Sequence, residues 1–327
     1  MPDPRRPKPG DVVLKVIRAA ICGTDASEWS HGPRLARPPV ILGHEFVGRV
    51  EAIGGGVESL TLGDRVVSGA GVSCGTCQWC KAGRSNLCVR YYTLGLQADG
   101  GLAEFVTSPA DICRGVPETV GDNAAAMAQP LAVALHAVAR SGVAEGQTCV
   151  VIGCGGIGAF IVAAAVFRGA KPVIAVDIDE ERLKTANQLG AHQTINARGA
   201  DLASEILAAT DGDGADVVIE ATGAPHAPAA AIAATRRGGR ALIVGLQSAP
   251  RELDLLALTA CEVEIGTTLA HVCNLDLPES LKILEQTRLA EIVLDRVIPL
   301  EQLVDEGIRA LAERTARGKI LVDPRAL

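Results

Sequence analysis

One stretch, residues 150–177, restricts what this chain can fold into more than any other: VVIGCGGIGAFIVAAAVFRGAKPVIAVD. It reads as a β-branched run, a glycine turn, an apolar helix and a second β-branched run that ends in a carboxylate, Asp177. Gly153, Gly155 and Gly158 stand in G-x-G-x-x-G spacing, directly after the first run and at the mouth of the helix. Such a turn points backbone N–H groups and a helix N-terminus at a pyrophosphate, and glycine admits the phosphate close to the backbone. Asp177 follows about 20 residues on, where a carboxylate binds the ribose 2′-OH of a dinucleotide and repels a 2′-phosphate. The pattern predicts an NAD site in preference to an NADP site. Glycine spacing alone also describes ordinary strand–turn–helix packing; the flanking strands and the acid decide between the two. Cys154, inside the turn, reads as a small filler.

At 327 residues the chain exceeds what one core serves, about 250–300 residues, so two domains are expected. Lys and Arg number 31 against 38 Asp and Glu, and a net charge of −7 argues against nucleic acid as a partner. Two Trp, two Tyr and four Phe leave the cores to aliphatic side chains and make no base-stacking platform. The basic start MPDPRRPKPGD has no apolar segment behind it and does not read as a signal peptide. The apolar run 159–167 is too short to cross a bilayer. A soluble, cytoplasmic protein without a membrane partner is the expectation, and there ten cysteines point to metal or chemistry before disulfides.

From 11 to 108, short β-branched runs such as VVLKVIRAAI and EFVGRVEAI alternate with Gly, Pro and Asp turns, which predicts an antiparallel, barrel-like β domain. Residues 124–142 read as one helix leading out of it. Strands at 148–152, 172–177, 215–220, 240–244 and 263–267 then alternate with helices, the pattern of a doubly wound parallel sheet. Helical segments at 278–287 and 300–317 and a last β-like run at 319–323 form a tail expected to return to the first domain.

Cys74, Cys77, Cys80 and Cys88 form a C-x-x-C-x-x-C-x7-C array in CGTCQWCKAGRSNLC. Four thiolates this close suit a closed tetrahedral zinc site with no open position, hence a structural one. Two disulfides, free thiols or an iron–sulfur cluster are the other readings of the same residues. Cys22 in ICGTD and His44 in GHE, each taken alone, would more often be core residues than ligands.

Taken together and in order, ICGTD, GHEFVGRV, LGDRV, the cysteine array, GGLAEF, PLAV and the nucleotide turn closely resemble the zinc-dependent medium-chain dehydrogenase/reductase family. PLAVALHA places the resemblance in its polyol and secondary-alcohol branch, with the sorbitol, threonine and 2,3-butanediol dehydrogenases. The resemblance implies a GroES-like β-barrel catalytic domain over 1–124 and 270–327, with a structural zinc lobe at about 71–91, and a Rossmann domain over 125–269. It implies a catalytic zinc on Cys22 and His44, with Glu45 a ligand that binds or swings away, and Thr24 accepting a hydrogen bond from the substrate oxygen to start its proton toward solvent. It also implies NAD held by Gly153, Gly155, Gly156, Ile157, Gly158, Asp177, Arg182, Thr222 and Val244. The implied partner is a small alcohol, diol, polyol or amino-polyol, and the implied assembly a homodimer or homotetramer pairing through the strand at 263–267.

Three departures from the family pattern stand out. Gln129 precedes PLAV where the branch carries Glu, so it is either a second-shell group or a replacement ligand that would leave the zinc more positive. Ser27 stands where many relatives carry a proton-relay histidine, and His31 nearby reads as a surface residue. Relatives also have a strand pair ahead of the position of Pro4, and its lack predicts some loss of stability. Gln129 and Ser27 keep open an alternative function, a catalytically silent dinucleotide-binding relative. A zinc-independent quinone-type reductase would lack the cysteine array and the Cys22/His44 pair.

Overall fold

The computed structural model describes residues 6–325, so the expectation about Pro4 lies outside the described residues. The chain divides into two compact units, one up to Ala132 together with the segment from Ala270 on, the other Val133–Leu269. The first division falls inside helix Ala128–Ser141 and not at 124/125, because that helix carries the chain from one unit into the other.

The strands of the first unit are β1 (Asp11–Ala20), β2 (Glu45–Ile53), β3 (Arg65–Ser68), β4 (Gly71–Val72), β5 (Tyr92–Thr93), β6 (Phe105–Pro109) and β7 (Cys113–Gly115). The second unit holds β8 (Cys149–Ile152), β9 (Val173–Asp177), β10 (Gln193–Asn196), β11 (Ala215–Glu220), β12 (Thr235–Ile243) and β13 (Glu264–Thr267). The chain then adds β14 (Leu294–Pro299) and β15 (Lys319–Asp323) to the first unit's sheet.

β1 organises the first unit. β2 lies antiparallel along one edge of it, while β6 takes the start of the other edge and β15 its end. Register shifts at Val13/Leu14 and Val16/Arg18 bend the strand, so that it serves three partners. Val12, Val13, Leu14, Val16 and Ala19 are fully buried within this folded-over sheet. The pairing of β14 with β15 is parallel, an exception to the antiparallel expectation.

The second unit is a six-stranded, all-parallel sheet in the order β10-β9-β8-β11-β12-β13. This is the doubly wound order, whose direction switches between β8 and β11 and whose ligand crevice lies at the carboxyl ends of the strands. Val150, Ile152, Ile174, Val176 and Val218 pack there against Leu202, Ile206 and Ala231 of the covering helices, an aliphatic core. Helix Gly156–Phe167 is apolar nearly all round because it is buried nearly all round.

Three sequence expectations need correction. The sheet has a sixth strand, β10, missed because QTIN is an edge strand with only Ile195 buried and so carries no apolar run. Residues 124–142 form two helices, Asp122–Ala125 and Ala128–Ser141, since Pro130 has no N–H to continue the first into the second. The segment 300–317 is a 3-10 turn, a π-helical stretch Leu303–Ile308 and one α turn, ending at Ala312. No helix among the described residues is long and apolar enough to cross a membrane.

Candidate functional site

The pairing of β1 with β2 sets Ala20 opposite Glu45, so the chain leaving β1 at Cys22 meets the chain entering β2 at His44. One donor atom each from Cys22, His44 and Glu45 lies within 4.8 Å of the others. His44 and Glu45 are buried; Cys22 and Thr24 are half-buried, with Thr24 Oγ1 3.7 Å from Cys22 Sγ. Ser27 is half-buried on the same helix, Gly23–His31, and His31 is exposed at its end. Gln129 is buried at the start of Ala128–Ser141.

Two buried charges that sequence reasoning left without a role hold this group together. Asp25 is fully buried; its Oδ2 accepts from Cys22 N at 2.8 Å and its Oδ1 from Gly43 N at 3.2 Å, so one carboxylate ties both ligand-bearing turns. Its signal was the last letter of ICGTD, three residues beyond Cys22. Lys319, on β15, donates to Glu45 Oε2 in a buried ion pair. Ile21 N donates to Ile320 O at 3.0 Å, which brings β15 beside the Cys22 turn. The only local hint of Lys319 is a lysine directly ahead of the apolar residues Ile320, Leu321 and Val322 of the last strand.

The turn before His44 is also braced from behind. Gly100 N donates to Ile41 O, Gly101 N to Gly43 O and Leu102 N to Leu42 O, all at 2.8–3.0 Å. The backbones approach so closely that a methyl on Gly100 would fall 2.1 Å from Gly43 O. The GGLAEF motif thus positions GHE.

The four cysteines of the array also come together, with one sulfur from each within 4.8 Å of the others. All ten cysteines of the chain are free. Cys77 N donates to Cys74 Sγ at 3.4 Å, and Cys74 N and Arg90 N donate to Cys88 Sγ at 3.2 and 3.3 Å. The Thr76 hydroxyl and the Arg90 guanidinium hold the Cys74 thiol down at about 5.

In the second unit each fingerprint glycine has a separate reason. Gly153 has φ +91 and leaves Thr222 room, since a Cβ would fall 2.5 Å from Thr222 Cγ2. A Cβ on Gly158 would fall 1.7 Å from Gly153 O, so the helix packs on the strand only with glycine there. At Gly155, which caps helix Gly156–Phe167, a Cβ would project into open space with only the Arg182 guanidinium nearby, at 3.7 Å. Ile157 is half-buried in the first turn of that helix. Asp177, at the end of β9, accepts Cys154 N at 2.7 Å on Oδ2, and Ile178 N and Asp179 N at 2.7 and 3.0 Å on Oδ1. A carboxylate has about four acceptor positions, so three backbone donors leave room for one hydroxyl. Thr222 N and Gly223 N donate to Glu220 Oε1, and Val244 N donates to Glu220 O at 2.8 Å.

Residues 8–118 match the alcohol dehydrogenase GroES-like domain, and residues 156–286 the zinc-binding dehydrogenase domain. The chain is 37% identical to the sorbitol dehydrogenase of Bacillus subtilis (strain 168) over 242 residues, 73% of this chain and 69% of that protein. It belongs to the zinc-dependent medium-chain dehydrogenase/reductase family. Its fold matches the crystal structure of 2R,3R-butanediol dehydrogenase from Bacillus subtilis with a TM-score of 0.88, at 30% identity, over 98% of this chain and 94% of that one. An alcohol dehydrogenase from E. coli CFT073, complexed with NADH, matches with a TM-score of 0.89 at 29% identity, over 99% of this chain and 94% of that one.

The residues of this medium-chain dehydrogenase fit the groups its family carries. Burial alone would push His44 toward its neutral form, but Cys22, Asp25 and Glu45 outweigh it and lift the imidazole to about 10. That excess of negative charge is what a divalent cation among the same donors would meet. Counted formally, Cys22, Asp25 and Glu45 against Lys319 leave two negative charges, the complement of Zn²⁺. His44 Nδ1 is buried with no hydrogen bond, and Asp25 Oδ1 lies 3.7 Å away on that side, the arrangement in which a carboxylate steadies a metal-binding histidine. In the cysteine lobe, burial and then Cys77 push the Cys80 thiol up to about 11, so the four thiolates together need a cation. Zn–S bonds of about 2.3 Å would set tetrahedral sulfurs about 3.8 Å apart, within the spread observed. For the dinucleotide, the space beside Gly155 is the room a pyrophosphate needs at a helix N-terminus.

Proposed function

We propose that this dehydrogenase interconverts a secondary alcohol, vicinal diol, polyol or amino-polyol with its ketone, using NAD as the hydride acceptor. The observation that carries the reading is the group of half-buried Cys22 with buried His44 and Glu45, braced by Asp25 and Lys319, in one chain with the Gly153–Gly158 turn. When bound, zinc supplies Lewis acidity that makes the alcohol proton easier to lose, and the nicotinamide supplies the hydride acceptor.

Cys22 and His44 would hold the catalytic zinc, and Glu45 divides its carboxylate between that site and Lys319. Thr24, beside Cys22, takes the proton of the substrate hydroxyl and starts it outward, past Ser27 where many relatives carry a histidine. Gln129 stays as an uncharged neighbour of this chemistry or takes the place of Glu45. Cys74, Cys77, Cys80 and Cys88 would hold a second, structural zinc. In the second unit the N–H groups of the 153–158 turn receive the pyrophosphate, with Arg182 over Gly155, while Asp177 takes the adenosine ribose. Ten free thiols suit the cytoplasm as its compartment. β13 ends the parallel sheet with one edge unpaired among the described residues, and in the helix Leu255–Cys261 that precedes it Leu255 and Leu256 are 69% and 80% exposed, which suits pairing with a second copy.

The test is NADH formation by the purified protein against vicinal diols, sugar alcohols, amino-cyclitols and simple secondary alcohols, with and without a zinc chelator. Chelator-sensitive turnover of one class is the expected result. No turnover of any, by protein shown to hold zinc and to bind NADH, would overturn it in favour of a silent dinucleotide-binding relative.

A further inference from the structure

Four thiolates around one divalent cation leave the cysteine lobe with two negative charges in excess. Three cations of the sequence stand between Cys74 and position 90: Lys81, Arg84 and Arg90. Lys81 directly follows Cys80, yet its side chain is exposed and makes no hydrogen bond or ion pair among the described residues. Arg84 is engaged elsewhere, its guanidinium lying over the Trp79 ring at 5.9 Å from the centroid. Of the three, only Arg90 bonds to the sulfurs.

Arg90 joins the first cysteine of the array to the last. Its backbone N–H donates to Cys88 Sγ at 3.3 Å. Its guanidinium donates to Cys74 Sγ and, through Nη2, to Thr76 Oγ1 at 3.0 Å. The Thr76 hydroxyl donates in turn to Cys74 Sγ at 3.6 Å, so the cation acts on that sulfur both directly and through the threonine. Cys74 N donates to Cys88 Sγ at 3.2 Å and closes the loop between two residues 14 positions apart. Cys77 and Cys80 need no such link, because the single turn Gln78–Lys81 already holds them together, with Lys81 N donating to Cys77 O at 3.0 Å.

We propose that Arg90 is the counter-ion and clasp that retains zinc in the lobe, acting on Cys74 and Cys88 without being a ligand itself. The inference rests on the reading of the lobe as a structural zinc site and assigns the residue that keeps it loaded. A cation held against two ends of the array offsets part of the excess charge, and outer partners of this kind change metal affinity by about 10–100-fold. Arginine suits the place because its planar fork serves a sulfur and a hydroxyl at once and never loses its charge. Arg90 is exposed, so its replacement leaves no cavity and separates zinc retention from folding.

The test is alkylation of the zinc-loaded protein by iodoacetamide in excess EDTA, at reagent concentrations where zinc release limits the rate. Mass spectrometry follows the peptides carrying Cys74, Cys77, Cys80 and Cys88 separately from the one carrying Cys22. Arg90→Met is expected to speed alkylation of the lobe about tenfold and to leave Cys22 at the wild-type rate. Thr76→Val, which removes only the relayed contact, is expected to fall between the two, and Arg90→Lys, which keeps the charge, to recover most of the protection. Lys81→Met makes the same change of charge beside a ligand and is expected to alter nothing. Wild-type rates in Arg90→Met would overturn the proposal, and so would an equal acceleration in Lys81→Met, which would make net charge the whole cause. Rapid alkylation of the wild-type lobe even after loading with zinc would instead overturn the structural-zinc reading, and this inference with it.

Discussion

Asp25 and Lys319 are single buried charges that brace the proposed zinc site of Cys22, His44 and Glu45 without belonging to its ligand set. Asp25 bonds the backbone of both ligand turns, and asparagine offers an acceptor to only one of them while turning an N–H₂ at the other. Asp25→Asn is therefore expected to weaken zinc at Cys22, His44 and Glu45 by about 10–100-fold and leave the cysteine lobe loaded. Elemental analysis after dialysis checks this: the variant should keep its lobe zinc and lose the other, and full retention of both would contradict it. Lys319 is the only cation paired with Glu45 among the described residues. Removing one partner of a buried pair costs about 3–5 kcal/mol, so Lys319→Met should lower the denaturation midpoint of metal-free protein. Zinc should narrow the gap to the wild type by supplying the missing positive charge, and an unchanged midpoint without metal would show that Glu45 does not depend on Lys319.

Among elements, the strand-to-helix connection at 153–158 separates two uses of glycine that look alike in sequence. Gly158→Ala drives a methyl into Gly153 O, so both stability and NADH binding should fall. Gly155→Ala meets nothing closer than 3.7 Å, so its melting temperature should hold while its affinity for NADH drops. Thermal melts paired with NADH titrations distinguish the two, and equal behaviour of both variants would argue that Gly155 does not face the cofactor. The same logic applies to the brace behind His44. Gly100→Ala is expected to displace the GHE turn and release the zinc held there, read again as zinc per chain.

For the whole molecule, the sheet of the second unit ends at β13, where Ile265 is exposed, and the helix before it exposes Leu255 and Leu256. If a second copy covers this edge, replacing Leu255 and Leu256 together by Glu should shift the protein toward monomer in sedimentation velocity, since buried charges without partners oppose association. An unchanged mass would place any assembly elsewhere on the surface. The order of the strands also explains why the tail matters. β15 completes the second edge of β1, so the last strand supplies both a pairing partner and the Lys319 ammonium to a site built near the start of the chain.

Whatever is written in short-range spacing was legible beforehand. The cysteine lobe is closed by residues within fifteen positions of one another, and the nucleotide turn by one strand, one turn and one helix, so residue type and interval suffice. The parallel sheet followed from the alternation of apolar runs with helices; β10 escaped because an edge strand buries too little to leave a pattern. Cys22, His44 and Glu45 were visible only through resemblance, since two antiparallel strands bring them together and neither fragment is distinctive alone. Asp25 stood inside a quoted motif, but its role depends on Gly43, which is near only after folding. Lys319 lies 274 positions from Glu45 and meets it only because β15 pairs with β1. Local spacing determines which turns form and which ligands they present. Tertiary structure alone decides which buried charges find partners and which polar atoms do not, because those contacts join residues that no interval in the chain relates.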